Sequence, residues 1–237
     1  MSEETRPIRP SLTRYLDLRR TDPHLFHNPS SHGFMIVLDE ESIREIEAQV
    51  AGRLMQFGHP TEWAEVGIVY EDQYLLILRD AVVFPDGERD TYIRILDKLG
   101  RAPGVAVLAT FDRRVVLVRH FRHATRSWHL EIPRGFGGEG GSPQKDARRE
   151  IEEEIGGSVR AIRSLGVMHP NTGLSAEEVH LLSAELESIG LPERHEAISE
   201  LVEVSLPELE RMIADGSITD SFTIAAYSRA KLLGMLD

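Results

Sequence analysis

Residues 147–157 read ARREIEEEIGG, and three of these glutamates, Glu150, Glu153 and Glu154, are spaced to fall together if the segment is helical. At 3.6 residues per turn they span an arc of roughly 100°. Ala147, Ile151 and Ile155 form the adjacent apolar stripe, a face that can pack on a sheet, and Glu152 points away. Like charges four residues apart, as at Glu150 and Glu154, destabilise a helix. A compensating cation is one explanation of the cluster, and hard oxygen ligands suit Mg²⁺, Mn²⁺ or Ca²⁺. A solvated acidic face beside Arg148 and Arg149 is the other, and for a glutamate run alone it is the commoner one.

The flanking elements bear on that choice. Residues 133–142 (PRGFGGEGGS) carry five glycines, so this loop's backbone can approach a ligand closely. Ser142 and Pro143 have the chemistry of a helix N-cap and first position, and Gly156-Gly157 supplies the stop. Upstream, residues 105–109, 115–119 and 128–132 are strand-like, with a turn at Asp112-Arg113-Arg114. Strands follow near 159–168 and 178–185. Glu208–Asp215 and Thr219–Leu236 read as helices. Nearer the start, WAEVGIVY, YLLILRDAVVF and TYIRIL suggest an antiparallel meander over 63–96. Before it, 33–38 reads as a strand, and Asp39 caps a helix through Leu54 with Ile43, Ile46, Val50 and Leu54 on one face. Residues 1 to about 33 read as an irregular extended arm, with two proline turns and the basic patch Arg14, Arg19 and Arg20.

The 237 residues are 41% hydrophobic, enough to bury a core. No stretch approaches the roughly 18 apolar residues of a membrane span, and the polar start lacks a signal region. With no cysteines there are no disulfides and no thiolate metal sites. These features point to a cytoplasmic protein without a membrane partner. A net charge of −12, from 39 acids and 27 bases, speaks against a nucleic-acid partner. A phosphorylated small substrate would need local cations to offset its charge.

The frame Gly135, thirteen residues, then Arg149-Glu150-Ile151-x-Glu153-Glu154-x-Gly156 resembles the Nudix box, G-x5-E-x7-R-E-U-x-E-E-x-G-U, where U is a bulky aliphatic residue. Seven fixed positions match in register, and the resemblance extends over about 60–237. Two depart. Gly141 stands where the box has its first glutamate, so Arg149 lacks the partner the family gives it, and Glu139 is the available substitute. Gly157 replaces the last aliphatic residue. The segment VLVRHFRHATRSWHLEIPRGF resembles the one before the box in ADP-ribose pyrophosphatases and nucleoside-diphosphate-sugar hydrolases. Arg122, Trp128, Glu131 and Pro133 fall at its arginine, tryptophan, glutamate and proline, while His120 stands at its glutamine and Arg134 at its alanine. ADP-ribose members often carry a proline where this chain has Thr172, so the general nucleotide-sugar group is the better match.

The resemblance implies an α/β fold: the Nudix α/β/α sandwich with a mixed sheet, plus a small β-rich N-terminal domain. The corresponding divisions are an arm with a strand and a helix over 1–60, a β-rich subdomain over 61–100 and the Nudix hydrolase domain over 101–237. It implies Mg²⁺, with Mn²⁺ as the alternative, held by Glu150 and Glu154 with Glu153 assisting and the Arg134 carbonyl as a further ligand. It places Arg122, Arg134, Gly135 and His123 against the substrate and puts a general base in the loop 191–200, Glu196 ahead of Glu193. His120, His123 and His129 together read as ordinary strand-edge histidines rather than a metal cluster. Trp63, Tyr70 and Tyr74 are candidates for stacking on a base, although aromatic residues in strands are more often core. The implied activity is metal-dependent hydrolysis of the pyrophosphate of a nucleotide sugar by a homodimer. The competing reading is a non-catalytic Nudix module that senses a nucleotide sugar or acts as an assembly partner.

Overall fold

The structure, a computed structural model, describes residues 9–97, 102–138, 140–193 and 196–236. The chain divides into two compact units, residues up to 99 with 171–176, and residues 100–170 with 177–237.

In the first unit, α1 (Pro10–Thr21) and a 3₁₀ turn (Pro23–Phe26) precede β1 (Met35–Val37), α2 (Glu40–Gln56), a second 3₁₀ turn (Thr61–Ala64), β2 (Gly67–Glu71), β3 (Leu75–Val83) and β4 (Arg89–Asp97). Strand β3 pairs antiparallel with β1, β2 and β4. Asp39 caps α2 by accepting a hydrogen bond from the Ser42 N–H at 2.8 Å. Ile43, Ile46 and Val50 are buried, as their spacing requires.

Two expectations fail here. Residues 10–21 are a helix, not an extended arm. Pro10 occupies the first turn, where no N–H is needed, and Leu12, Tyr15 and Leu18 are buried on one face. The Tyr15 hydroxyl donates to Asp80 Oδ1 at 2.5 Å. Asp80, 2% exposed, is also held by Arg94 through Nε at 2.5 Å and Nη2 at 3.1 Å, while Arg94 Nη1 donates to the Leu25 carbonyl at 2.7 Å. A buried carboxylate is tolerable only when paired in this way. Burial, then the Asp80 charge, drives the Tyr15 hydroxyl far above its usual range. The expected strand at 63–70 also starts late: Trp63 lies in the 3₁₀ turn, and β2 begins at Gly67. Trp63, Tyr70 and Tyr74 are about half exposed and belong to no core.

The second unit contains β5 (Gly104–Phe111), β6 (Arg114–Arg122), β7 (Ser127–Glu131), β8 (Arg134–Gly135), α3 (Pro143–Ile155), β9 (Ser158–Met168), β10 (Val179–Ser188), β11 (Ile198–Val204), α4 (Leu206–Ala214) and α5 (Ser221–Leu232). Its sheet runs β11-β6-β5-β10-β9, with β7 on β6 and β8 on β5. β10 is parallel to β5 and the other pairings are antiparallel, so the sheet is mixed. Both faces are covered, which is why GVAVLATF reads as a continuous apolar run. Val105, Val107 and Ala109 pack with Ala147, Ile151 and Ile155 of α3. Ala106 and Leu108 pack with Leu209 of α4 and Phe222, Ala226 and Ala230 of α5. This is the expected α/β/α sandwich. The last helix ends at Leu232, short of the expected Leu236.

Replacing Asp80 with alanine leaves Arg94 Nε and Nη2 and the Tyr15 hydroxyl without their shared partner. Because Arg94 is about a fifth exposed, the expected loss is about 3 kcal/mol, the low end of the cost of orphaning a buried charge. Tyr15→Phe removes one hydrogen bond and should cost about 1 kcal/mol. Urea unfolding followed by circular dichroism measures both.

Candidate active site

Helix α3 fixes the site. Ser142 Oγ accepts from the Lys145 N–H at 3.3 Å at its start, and Gly156, with φ 65°, ends it in the left-handed conformation. Ala147, Ile151 and Ile155 are fully buried against the sheet. The helical rotation therefore carries Glu150 and Glu154 to the margin of that buried stripe, where they are 5% and 2% exposed. Glu153 is half-buried and Glu152 exposed.

The glycine-rich loop lies directly on these carboxylates. A Cβ on Gly135 would sit 2.2 Å from Glu150 Oε1 and 2.3 Å from Oε2, a separation no side chain permits. Next to it, the Arg134 N–H donates to Glu154 Oε2 at 3.2 Å. Arg149 forks between two glutamates, Nη2 to Glu150 Oε1 at 2.6 Å and Nη1 to Glu153 Oε2 at 2.7 Å, and Nη2 also donates to the Phe136 carbonyl at 2.8 Å. The arginine thus has partners although Gly141 replaces the box glutamate. Glu139, the expected substitute, lies outside the described residues. Gly157, the other departure, is a close-approach position: a Cβ there would lie 2.4 Å from the Ser188 carbonyl oxygen.

Burial, opposed by Arg149 and reinforced by Glu153, pushes the Glu150 carboxyl up to about 7. Burial and then the Glu150 charge push Glu154 up to about 8. Two such carboxylates are held where neither ionises easily. A hard divalent cation would reverse that, and the all-oxygen donor set suits one. The carboxylates do not form a ready cage. Among the described residues no group of three or more His, Asp and Glu side chains is gathered for a metal ion, and Glu153 is turned to Arg149.

Beside Glu154 lies a second charged group that the sequence showed only in outline. Glu131, 1% exposed, ends β7 and is ion-paired with Arg122. Arg134 Nη2 approaches it at 3.6 Å and Asp220 Oδ1 at 3.8 Å, and the guanidinium stacks 4.5 Å over Phe222. Asp220 is placed by α5: its Oδ2 accepts from the Thr223 N–H at 2.8 Å, and the Thr223 hydroxyl accepts from the Ile132 N–H at 3.0 Å. His120 Nδ1 is 3.4 Å from Glu131. Its burial, with Arg122 and Arg134 beside it, depresses the imidazole to about 4 and keeps it neutral. Three buried nitrogens here, His120 Nδ1, Arg122 Nε and Arg134 Nε, have no hydrogen-bond partner. Buried polar groups are rarely left so; of the residues that carry them, Arg122 acts electrostatically on Glu154, and Arg134 bonds it through its backbone N–H.

The loop residues divide. Glu196 is near enough to Glu150 to raise its carboxyl. The Glu193 N–H donates to the Glu153 carbonyl at 2.8 Å, tying the loop to the end of α3, while its side chain is exposed. His123 is exposed in the β6–β7 turn with Arg126 Nη1 2.7 Å from its Nδ1, and no hydrogen bond or ion pair among the described residues joins it to the glutamates. Sequence reasoning gave no role to Asp146, Asp220 or Phe222. Only Glu131 had a signal, as the glutamate of the segment before the box.

Residues 100–222 match the NUDIX domain family. An ADP-ribose pyrophosphatase of Bacillus subtilis is 31% identical over 136 residues, 55% of this chain and 73% of that one. A methanol dehydrogenase activator of Bacillus methanolicus is 29% identical over 171 residues, 69% and 89% of the two chains. Among solved structures, one described as an ADP compounds hydrolase superposes with a TM-score of 0.61 at 18% identity, covering 72% of this chain and 94% of that one. The chain belongs to the NUDIX domain family. Within it, the chain is similar to ADP-ribose and ADP-sugar pyrophosphatases.

Gly135→Ala places a methyl group inside the Glu150 carboxylate. The variant is expected to lose activity and divalent-cation affinity together while keeping its circular dichroism spectrum. Calorimetric Mn²⁺ titration beside an activity assay checks this.

Proposed function

We propose that the protein hydrolyses the pyrophosphate bond of a nucleoside diphosphate sugar of the ADP-ribose type, releasing a nucleoside monophosphate and a sugar phosphate. The observation that carries this reading is the apposition of two structures. Glu150 and Glu154 form a buried carboxylate pair, and beside it lie the buried, unpartnered nitrogens of Arg122, Arg134 and His120. One suits a cation and the other the anionic oxygens of a diphosphate.

In this reading Glu150 and Glu154 hold Mg²⁺, or Mn²⁺ in its place, with Glu153 and the Arg134 carbonyl as further ligands. The cation supplies charge neutralisation of the diphosphate and acidifies water. Gly135 gives Glu150 room to turn toward the substrate. Arg122, fixed by Glu131, offers its remaining N–H groups to phosphate oxygens, where a guanidinium binds in a planar, bidentate way. Arg134, braced on Phe222, does the same from the other side of Glu131. Glu196, within electrostatic reach of Glu150, is the favoured general base over Glu193. His123 has a contact role only if the β6–β7 turn closes on the substrate. The working protein is taken to be a cytoplasmic homodimer. Among the described residues no helix is long and apolar enough to cross a membrane.

One observation favours a second reading, a Nudix module that works on a partner protein: the similarity to an activator protein spans more of this chain than that to the pyrophosphatase.

Incubation with a panel of nucleotide sugars and Mg²⁺ or Mn²⁺ separates the two. Hydrolysis is expected, with monophosphate appearing, and Glu154→Gln should abolish it while the fold is retained. Tight binding of a nucleotide sugar without monophosphate from any member would favour the second reading. Turnover by Glu154→Gln like that of the unmodified protein would sink the metal assignment.

A further inference from the structure

Asp146 stands in the first turn of α3, a position where acids are ordinarily solvated, yet it is 5% exposed. Its Oδ1 accepts a hydrogen bond from the Gly138 N–H at 3.1 Å. A Cβ on Gly138 would lie 3.2 Å from that oxygen, and a Cβ on Gly141 would lie 2.8 Å from Oδ1 and 2.9 Å from Oδ2. The carboxylate therefore fills the hollow of the Gly138–Gly141 turn, which is closed by the Gly141 N–H donating to the Gly138 carbonyl at 3.1 Å.

Gly141 does not have a left-handed φ, unlike Gly140 at 63°. Nothing in the backbone demands glycine there. What excludes a side chain at 141 is the Asp146 carboxylate, so the two positions compete for one space. Residue 141 is also where the Nudix box carries its first glutamate, the position this chain leaves bare.

We infer that Asp146 is a positioning residue: from within α3 it fills the space left bare at 141 and braces the glycine-rich loop at Gly138, a role distinct from that of the box glutamate as a partner of Arg149. The loop is then fastened to the helix at three successive points: Gly135 against Glu150, the Phe136 carbonyl on Arg149 at 2.8 Å, and the Gly138 N–H on Asp146 at 3.1 Å. Running along the loop, these contacts descend the helix from residue 150 to 146. Asp146 fastens the far end, and the placement of Gly135 and Arg149 around Glu150 depends on it. The inference rests on the proposed function for its catalytic consequence but not for its geometry.

The test uses Asp146→Ala, Asp146→Asn, Gly141→Glu and the double variant Gly141→Glu/Asp146→Ala in the full chain. Three quantities are read: amide exchange at Gly138 by NMR, Mn²⁺ affinity by calorimetry, and hydrolysis of ADP-ribose. Asp146→Ala should speed exchange at Gly138 about ten-fold and, through the loosened loop at Gly135, weaken Mn²⁺ binding by up to about ten-fold, the lower end of what loss of a group directly behind a ligand costs. Asp146→Asn keeps the carbonyl acceptor and should stay within about threefold of the unmodified chain. Gly141→Glu alone crowds Asp146 and should weaken Mn²⁺ binding. The double variant, with the carboxylate moved back to 141, should recover Mn²⁺ affinity and turnover relative to Asp146→Ala. Unchanged Gly138 exchange in Asp146→Ala, or a double variant no better than Asp146→Ala, would overturn the inference. If the unmodified chain hydrolyses no nucleotide sugar, the proposed function fails, and the exchange and Mn²⁺ measurements still decide the role of Asp146.

Discussion

Two carboxylates one helical turn apart, both nearly excluded from water, repel each other, and the protein holds them there. Glu150 and Glu154 are buried because the residues beside them, Ala147, Ile151 and Ile155, are driven onto the sheet, and 3.6 residues per turn leaves the glutamates at the edge of that contact. Like charges at this spacing weaken a helix even in water. In a dry setting the Glu150 charge raises the proton affinity of Glu154, and Glu153 that of Glu150, on top of the cost of burial. Arg149 and the Arg134 N–H offset part of that cost. The rest keeps a proton on the pair more readily than on an exposed carboxylate.

The second unit is arranged around this constraint. Strand β8 is two residues long, but its pairing with Val105 and Ala106 brings Gly135 and Arg134 onto the glutamates with their backbones foremost. β6 and β7 carry Arg122 and Glu131 to the same place, and α5 adds Asp220 and Phe222 beneath Arg134. Anion-seeking and cation-seeking groups thus stand next to one another without neutralising fully, since the Arg134 guanidinium lies 3.6 Å from Glu131 and 3.8 Å from Asp220. A ligand that combines phosphate oxygens with a metal ion satisfies both sets.

Much of this was legible in the sequence, for specific reasons. The α3 stripe and its caps follow from helical periodicity and from Ser142, Pro143 and Gly156. Strands near 105–109 and 178–185 follow from their apolar residues, while the mixed sheet and the sandwich come from the resemblance to the Nudix box and not from composition. The box frame turned an ambiguous acidic run into a metal hypothesis. Helix α1 was missed because two proline turns and five arginines in its neighbourhood disguise a three-residue apolar face, Leu12, Tyr15 and Leu18, and because its anchor, Asp80, is 65 residues from Tyr15. Asp220 is likewise joined to Arg134 only by tertiary contact. Asp146 was invisible for a different reason. It lies against Gly141, whose missing side chain registers in the sequence as a loss, whereas in the fold that space is already filled.

If the buried Glu150–Glu154 pair holds a divalent cation, it must give up its protons to do so. Calorimetric titration of the metal-free protein with Mn²⁺ at pH 7, repeated in buffers of different ionisation enthalpy, measures the protons released on binding. Net proton release is expected, and it should be reduced in Glu154→Gln. Binding without proton release, or release unaffected by Glu154→Gln, would contradict it.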